Sequence, residues 1–189
     1  MALKEILNFC SKYGKDYVYR PFYDNIVVLK RNRKDYNNEE ILYVNNPNNV
    51  LFTGSDFTIE AIIDKVTGKT KDKMTINNIL LQSVITVGDI FKPFETQYYK
   101  TVIPAYYYYI YKTYNYTGEY IEFHKCGRTF AQGFYKNGMK SGRWVYYNRF
   151  HSKTEEGEYN NSVKVGEWTY WNSHNYTIHR IIDHTLYPE

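Results

Sequence analysis

His174, His179 and His184 follow one another at intervals of five, with Asp183 beside the last. Imidazoles and carboxylates are zinc ligands, but a site needs them to converge on one point. Residues five apart point to opposite faces of a strand and lie about 140° apart around a helix, so neither geometry gathers three rings on an ion. No metal site is expected. Cys10 and Cys126 are the only cysteines, which provides neither a thiolate cluster nor a disulfide framework. Twenty acidic residues, five histidines and many serines could supply a catalytic triad on paper, yet no nucleophile elbow or phosphate loop arranges them. Gly127, Gly133, Gly138 and Gly142 fit hairpin turns and strand glycines better than a nucleotide loop, and no helix follows to present its N-terminus to a phosphate. The expectation is a protein with no catalytic residue, no cofactor and no small-molecule substrate.

Two basic stretches suggest a different chemistry. Lys30-Arg31-Asn32-Arg33-Lys34 is the densest, and Lys65, Lys69, Lys71 and Lys73 form a second. With 23 tyrosines able to stack on bases, single-stranded nucleic acid is a conceivable ligand. Glu39, Glu40, Asp64 and Asp72 lie close by and dilute the field, and the net charge is only +4. A solvated turn is the preferred reading, and nucleic acid an unlikely partner.

The elements that would position any site are clearest in the last third of the chain. Gly118, Gly142 and Gly166 stand 24 residues apart, and each opens a strand-like run ending in aromatics: Gly118–Phe123, Gly142–Tyr147 and Gly166–Trp171. The half-period agrees, because the segment around Gly133-Phe134-Tyr135 recurs around Gly157-Glu158-Tyr159. A fixed period between 20 and 50 residues dictates architecture, since no single unit can bury its apolar face alone. Asn137-Gly138 is a strong two-residue hairpin signal, so Phe134–Lys136 should pair with the strand opened by Gly142. Period-two alternation then puts Trp144 and Tyr146 on one face with Trp168 and Tyr170, and Val145, Tyr147, Thr169 and Trp171 on the other. Gly133 and Gly157 should leave bare backbone over which a neighbouring ring can lie.

Tyr135 to Asn148 and Glu156 to Trp171 resemble the MORN repeat, in the variant built as G-E-Y-x-N-G-x-x-x-G-x-W-x-Y-Y that occurs in bacterial antitoxin-like proteins and in large DNA viruses of amoebae. The match runs from Gly118 to Asn172. Tyr120 stands where the next units have Trp, Ser162 replaces the turn glycine found at Gly138, and Ile181 breaks the Gly133/Gly157 series. Terminal units of a repeat array are expected to be atypical because they cap the stack. The resemblance implies about three hairpin units forming an antiparallel sheet that acts as a docking or assembly surface. The family's association with membranes adds anionic lipid headgroups as an alternative ligand: Lys136, Lys140, Arg143, Lys153 and Lys164 partly provide a basic face, opposed by Glu119, Glu155, Glu156, Glu158 and Glu167.

Before the array the pattern is mixed. Leu3, Ile6, Leu7, Cys10 and Tyr13 have helical spacing, and Gly14 falls where a left-handed cap would end a helix over residues 2–13. Short segments rich in Val, Ile, Tyr and Phe follow at Asp16–Tyr19, Asn25–Leu29, Ile41–Val44 and Phe57–Asp64, the last running into a tight turn at Gly68. Ile79–Ile85 reads as a strand, with a helical turn as the alternative. Tyr106–Tyr111 reads as an aromatic strand that starts the repeat sheet, which puts Tyr107 and Tyr109 among the candidate partner-binding residues.

The resulting expectation is a mostly β chain: an α+β domain over residues 1–95 and a MORN-type sheet over 96–189. Residues 1–13 carry charges among the apolar positions, and no uncharged stretch of about 18 residues occurs, so neither a signal peptide nor a membrane span is expected. The functional expectation is a non-enzymatic protein–protein interaction or structural protein, soluble and intracellular, as a component of a larger assembly such as a virion (a minor capsid protein). The alternative is a peripheral module for lipid headgroups or single-stranded nucleic acid. Tyr147 and Trp171, on the face opposite Trp144 and Trp168, are the leading docking residues.

Overall fold

The computed structural model describes residues 2–22, 24–32, 37–39, 44–77, 82–91, 96–112, 115–172 and 177–185. The chain is mostly β and divides into two compact units, Met1–Tyr108 and Tyr109–Glu189.

The first unit opens with α1 (Ala2–Cys10), which buries Ile6 and Cys10. β1 (Tyr17–Pro21) and β2 (Asn25–Arg31) follow, then β3 (Phe52–Gly54), β4 (Phe57–Asp64), β5 (Thr70–Lys71), β6 (Lys73–Asn77), β7 (Gln82–Thr86), β8 (Ile90–Phe91), β9 (Thr96–Tyr98) and α2 (Val102–Tyr107). The main sheet runs β1-β2-β4-β5, with β8 also on β4, while β3 pairs β9 and β6 pairs β7, all antiparallel. In β2 the run Ile26-Val27-Val28-Leu29 is buried on both faces, as a near-continuous apolar strand in mid-sheet requires. Val27 and Leu29 join Phe52, Phe57, Ile62 and Tyr98 in the main core. Glu39 ties the segment after β2 to the rest: it receives the Tyr98 hydroxyl at 2.7 Å, Lys100 at 2.6 Å and the Arg31 guanidinium. Burial opposes its charge, but these donors hold the carboxyl below the ordinary glutamate value.

Three expectations require correction here. α1 stops at Cys10 rather than residue 13, and Gly14 is not left-handed; Tyr13 N instead donates to the Cys10 carbonyl in a closing turn. The tyrosine run is not a strand. Val102–Tyr107 is helical and Ile110–Lys112 forms a 3-10 turn, because Pro104 sits in the first helical turn, where its missing N–H is harmless, and Tyr106 and Tyr107 are both buried as the helix lies against β1 and α1. The helix consequently belongs to the first unit, and the division falls after Tyr108 instead of at residue 95. Ile41–Leu42–Tyr43 and residues 79–81 lie outside the described residues, whereas the end of the second run is the strand β7. The hairpin at Gly68 is present, with φ of 72° at the glycine and β5 paired back on β4.

Lys65, at the end of β4, has a fully buried side chain whose Nζ donates to the Tyr108 carbonyl at 2.8 Å. Burial pulls its pKa down to about 7, against the weaker pull of Asp24. The unfolded lysine, near 10.5, therefore holds a proton that the native one lacks between these limits. Stability is expected to rise from pH 7 towards 10.5 and to be flat in this respect below 7. Urea titrations between pH 6 and 9 check this, and Lys65→Met should remove the slope; an unchanged slope would mean that the ammonium is not the group responsible.

Candidate functional site

The second unit is one six-stranded antiparallel meander of β10 (Gly118–Phe123), β11 (Thr129–Lys136), β12 (Met139–Tyr147), β13 (Lys153–Asn160), β14 (Val163–Trp171) and β15 (Ile178–Asp183). Two-residue turns connect β11 to β12 and β13 to β14. The first has positive φ at Asn137 (51°) and Gly138 (77°), and the second at Asn161 (49°) and Ser162 (67°), the conformation that suits the twist of a tight hairpin. Ser162 adopts it without being glycine, and its Oγ accepts from Lys140 N at 2.9 Å.

Each hairpin carries the same irregularity 24 residues apart. Gly142, Arg143 and Trp144 stand opposite the single residue Gly133, and Gly166, Glu167 and Trp168 opposite Gly157. Gly142 and Gly166 have φ of 65° and 61°, which lets the outgoing strand bulge there. The bulge lays each indole flat on the bare backbone of the preceding strand: a methyl group on Gly133 or Gly157 would overlap the ring of Trp144 or Trp168. The indole N–H groups donate to the carbonyls of Phe134 (3.2 Å) and Glu158 (3.1 Å). In register Tyr120 pairs with Gly133, Trp144 with Gly157 and Trp168 with Ile182. The third member of the glycine series is thus Ile182, not Ile181, because the bulge at His179 adds one residue to β15.

On this face the rings form a column in which each stands nearly perpendicular to the next. Tyr120 meets Tyr135 at 88°, Tyr135 meets Trp144 at 90°, Trp144 meets Tyr159 at 84°, Tyr159 meets Trp168 at 79° and Trp168 meets His184 at 82°, with centroids 5.0–6.1 Å apart. Edge-to-face contact is the arrangement that ring quadrupoles favour. Tyr111 closes the first end by stacking on Tyr135 at 5.1 Å. Two lysines clamp the column. Lys140 Nζ lies 4.4 Å from the centroid of Trp144 and donates to the Tyr146 hydroxyl at 2.7 Å; Lys164 Nζ lies 4.2 Å from Trp168 and donates to Tyr170 at 3.1 Å and to Glu155 at 3.2 Å. Trp144 and Trp168 are 1 % and 0 % exposed, so a single-layer sheet has built a core on one side from its own side chains. Burial lowers Lys140, whereas for Lys164 the Tyr170 hydroxyl and Glu155 outweigh burial and raise it. Burial also raises the hydroxyls of Tyr120, Tyr135 and Tyr146.

The opposite face is differently equipped. Phe123, Tyr147 and Trp171 recur along it at 24-residue spacing, with Ile121, Val145 and Thr169 beside them. A shallow groove is lined there by Glu119, Ile121, Gln132, Arg143, Tyr147 and Lys153. Tyr147 and Trp171 are half-buried: Tyr147 stacks on His151 at 5.1 Å and accepts from Gln132 at 3.2 Å, and Lys153 Nζ sits 5.6 Å from the Trp171 centroid. The larger exposed apolar groups on this side are Phe134 and Ile181, which the sequence did not single out.

The other candidates distribute as follows. Tyr107 is buried in the first unit and cannot bind a partner from the surface. Tyr109 is exposed, with φ of 53°, on the turn before Ile110–Lys112 rather than on a strand. His174 is outside the described residues; His179 is exposed and His184 buried beside Trp168, with its Nε2 3.3 Å from the Tyr170 hydroxyl. Among the described residues no group of His, Cys, Asp and Glu could hold a metal ion, and no helix is long and apolar enough to cross a membrane. Several cations have internal partners: Arg31 with Glu39, Lys71 with Asp64, and Arg143 and Lys153 with Glu156. The lysine clamps and the perpendicular tyrosines were missed in the sequence, although Lys140/Lys164 and Tyr135/Tyr159 carry the same 24-residue spacing. No protein-family model, curated protein or solved structure matches the chain.

Proposed function

We propose that the protein is a non-enzymatic interaction protein whose six-stranded sheet docks another protein through the face that carries Phe134, Tyr147, Trp171 and Ile181. The observation that carries this reading is the asymmetry of the sheet. The ring column and its lysine clamps are consumed on one side, while the other side presents partly exposed aromatic and aliphatic groups rimmed by charges, the composition of a protein interface. The MORN-like spacing supports a place in a larger assembly, such as a virus particle. Binding to anionic lipid or nucleic acid is disfavoured, because Lys140, Lys164, Arg143 and Lys153 are engaged within the sheet and would have to exchange those partners for phosphates.

The test is Trp171→Glu, assayed by recovery of the chain in its native complex and by its thermal unfolding. The expected result is loss of recovery with a melting temperature close to that of the parent. Undiminished recovery would place the docking surface elsewhere.

A further inference from the structure

We propose that the outer edge of β15 is a homodimerisation edge, to which β15 of a second copy adds in antiparallel fashion about a two-fold axis through Ile181. Among the described residues β15 pairs only with β14. His184 N donates to the Gly166 carbonyl; by the alternation of an antiparallel ladder, residues 182 and 180 also turn their backbone groups to β14, and residues 183, 181 and 179 turn theirs outward. Edge strands that must stay single are blunted by lysine or proline. β15 has neither, and it exposes Ile178 and Ile181 at 58 % and 55 %.

The geometry also selects the occupant. The first strand of another copy, β10, cannot continue the array at this edge, since every following ring in the sheet lies on a glycine and the corresponding position is Ile182. Pairing of β15 with itself meets no such obstacle. With Ile181 opposite Ile181, Arg180 falls opposite Ile182, and His179 opposite Asp183 of the second copy. The two isoleucines form an apolar pair on the axis, and the imidazole meets a carboxylate on either side. Residues of equal parity face one another in this register, so both ring columns lie on the same side of the joined sheet. The other edge, β10, carries the carboxylates Glu119 and Glu122 and no cation, which does not favour self-pairing. This contact uses a strand edge and is independent of the docking face proposed above.

Sedimentation velocity on the full chain over a range of micromolar concentrations should show a monomer–dimer equilibrium. Ile181→Lys sets two ammonium groups against each other on the axis, at a side chain exposed enough for the fold to persist, and should raise the dimer dissociation constant about tenfold or more. Ile181→Cys in a Cys126→Ser background should form a disulfide-linked dimer under mild oxidation, because directly opposed residues in such a pair stand about 5.5 Å apart at Cα; Thr169→Cys, one strand inward, should not. Trp171→Glu should leave the dimer intact, which separates this proposal from the face reading. A chain that stays monomeric throughout, or a dimer that survives Ile181→Lys and yields no cross-link at position 181, would overturn it.

Discussion

Trp168→Ala should lower the stability of the second unit by about 3–5 kcal/mol, the range found when a fully buried large aromatic is truncated and its cavity persists. The side chain is 0 % exposed and touches Tyr159, Tyr146, Tyr170 and His184. Its removal deletes the ring on which two neighbours rest edge-on and strands the Lys164 ammonium above an empty space. The Glu158 carbonyl loses its indole donor as well. Collapse is restricted because the ring lies on backbone, which cannot move inward without breaking the β13–β14 ladder. Urea unfolding of the full chain, followed by circular dichroism and by the fluorescence of the remaining tryptophans, measures the loss. A change below about 1 kcal/mol would mean that the ring is not a core element in solution.

Gly157→Ala is the second expected large effect, and it acts through the same ring. The new methyl group overlaps the indole of Trp168, so either the ring leaves its place on the strand or the strand bends away, and overpacking of this kind costs about 1–3 kcal/mol. The diagnostic is the combination. In a Trp168→Ala background the methyl group enters the space the ring vacated, so Gly157→Ala should cost nothing there or recover part of the loss. A coupling energy of about 1–3 kcal/mol in the double-mutant cycle is expected for such a contact. Additive effects would show that the glycine is needed for its backbone conformation and not for the ring above it. Gly133 and Trp144 should behave in the same way.

Legibility in the sequence followed the length scale of the interaction. Asn137-Gly138, Gly142/Gly166 and Trp144/Trp168 reveal turn, bulge and core face because each acts within one 24-residue unit, and unit spacing is visible in a linear string. The tyrosine run from residue 106 was misread because β propensity describes how side chains fit a pleated surface, while Tyr106 and Tyr107 instead fill space around a short helix on β1. Ile181 was taken for the end of the glycine series because a bulge shifts register by one residue, and counting cannot detect an insertion that only the pairing of Trp168 with Ile182 exposes. The lysine clamps were hidden for another reason. Lysine on a strand reads as a solvated charge, and only the neighbouring Trp and Tyr rings show that its stem and ammonium belong to the packed side. On the opposite face, Tyr147 and Trp171 were assigned correctly in direction, but His151, Gln132 and Lys153, which cover them in part, come from loops and strands whose approach no periodicity encodes.

The closure of the ring column at both ends, by Tyr111 and by Ile182 with His184, has a consequence for how such a molecule can change in size. A new hairpin cannot be appended at the finished end without also rebuilding the residues that finish it. One inserted between Tyr147 and Lys153, however, meets a glycine-and-tyrosine neighbour on one side and a tryptophan neighbour on the other, the surroundings every internal unit already has. Growth of the surface is therefore a matter of duplication from within, with the two terminal strands inherited unchanged. Variation in length among descendants of this chain would appear as whole steps of 24 residues in the middle, not as ragged extension at its end.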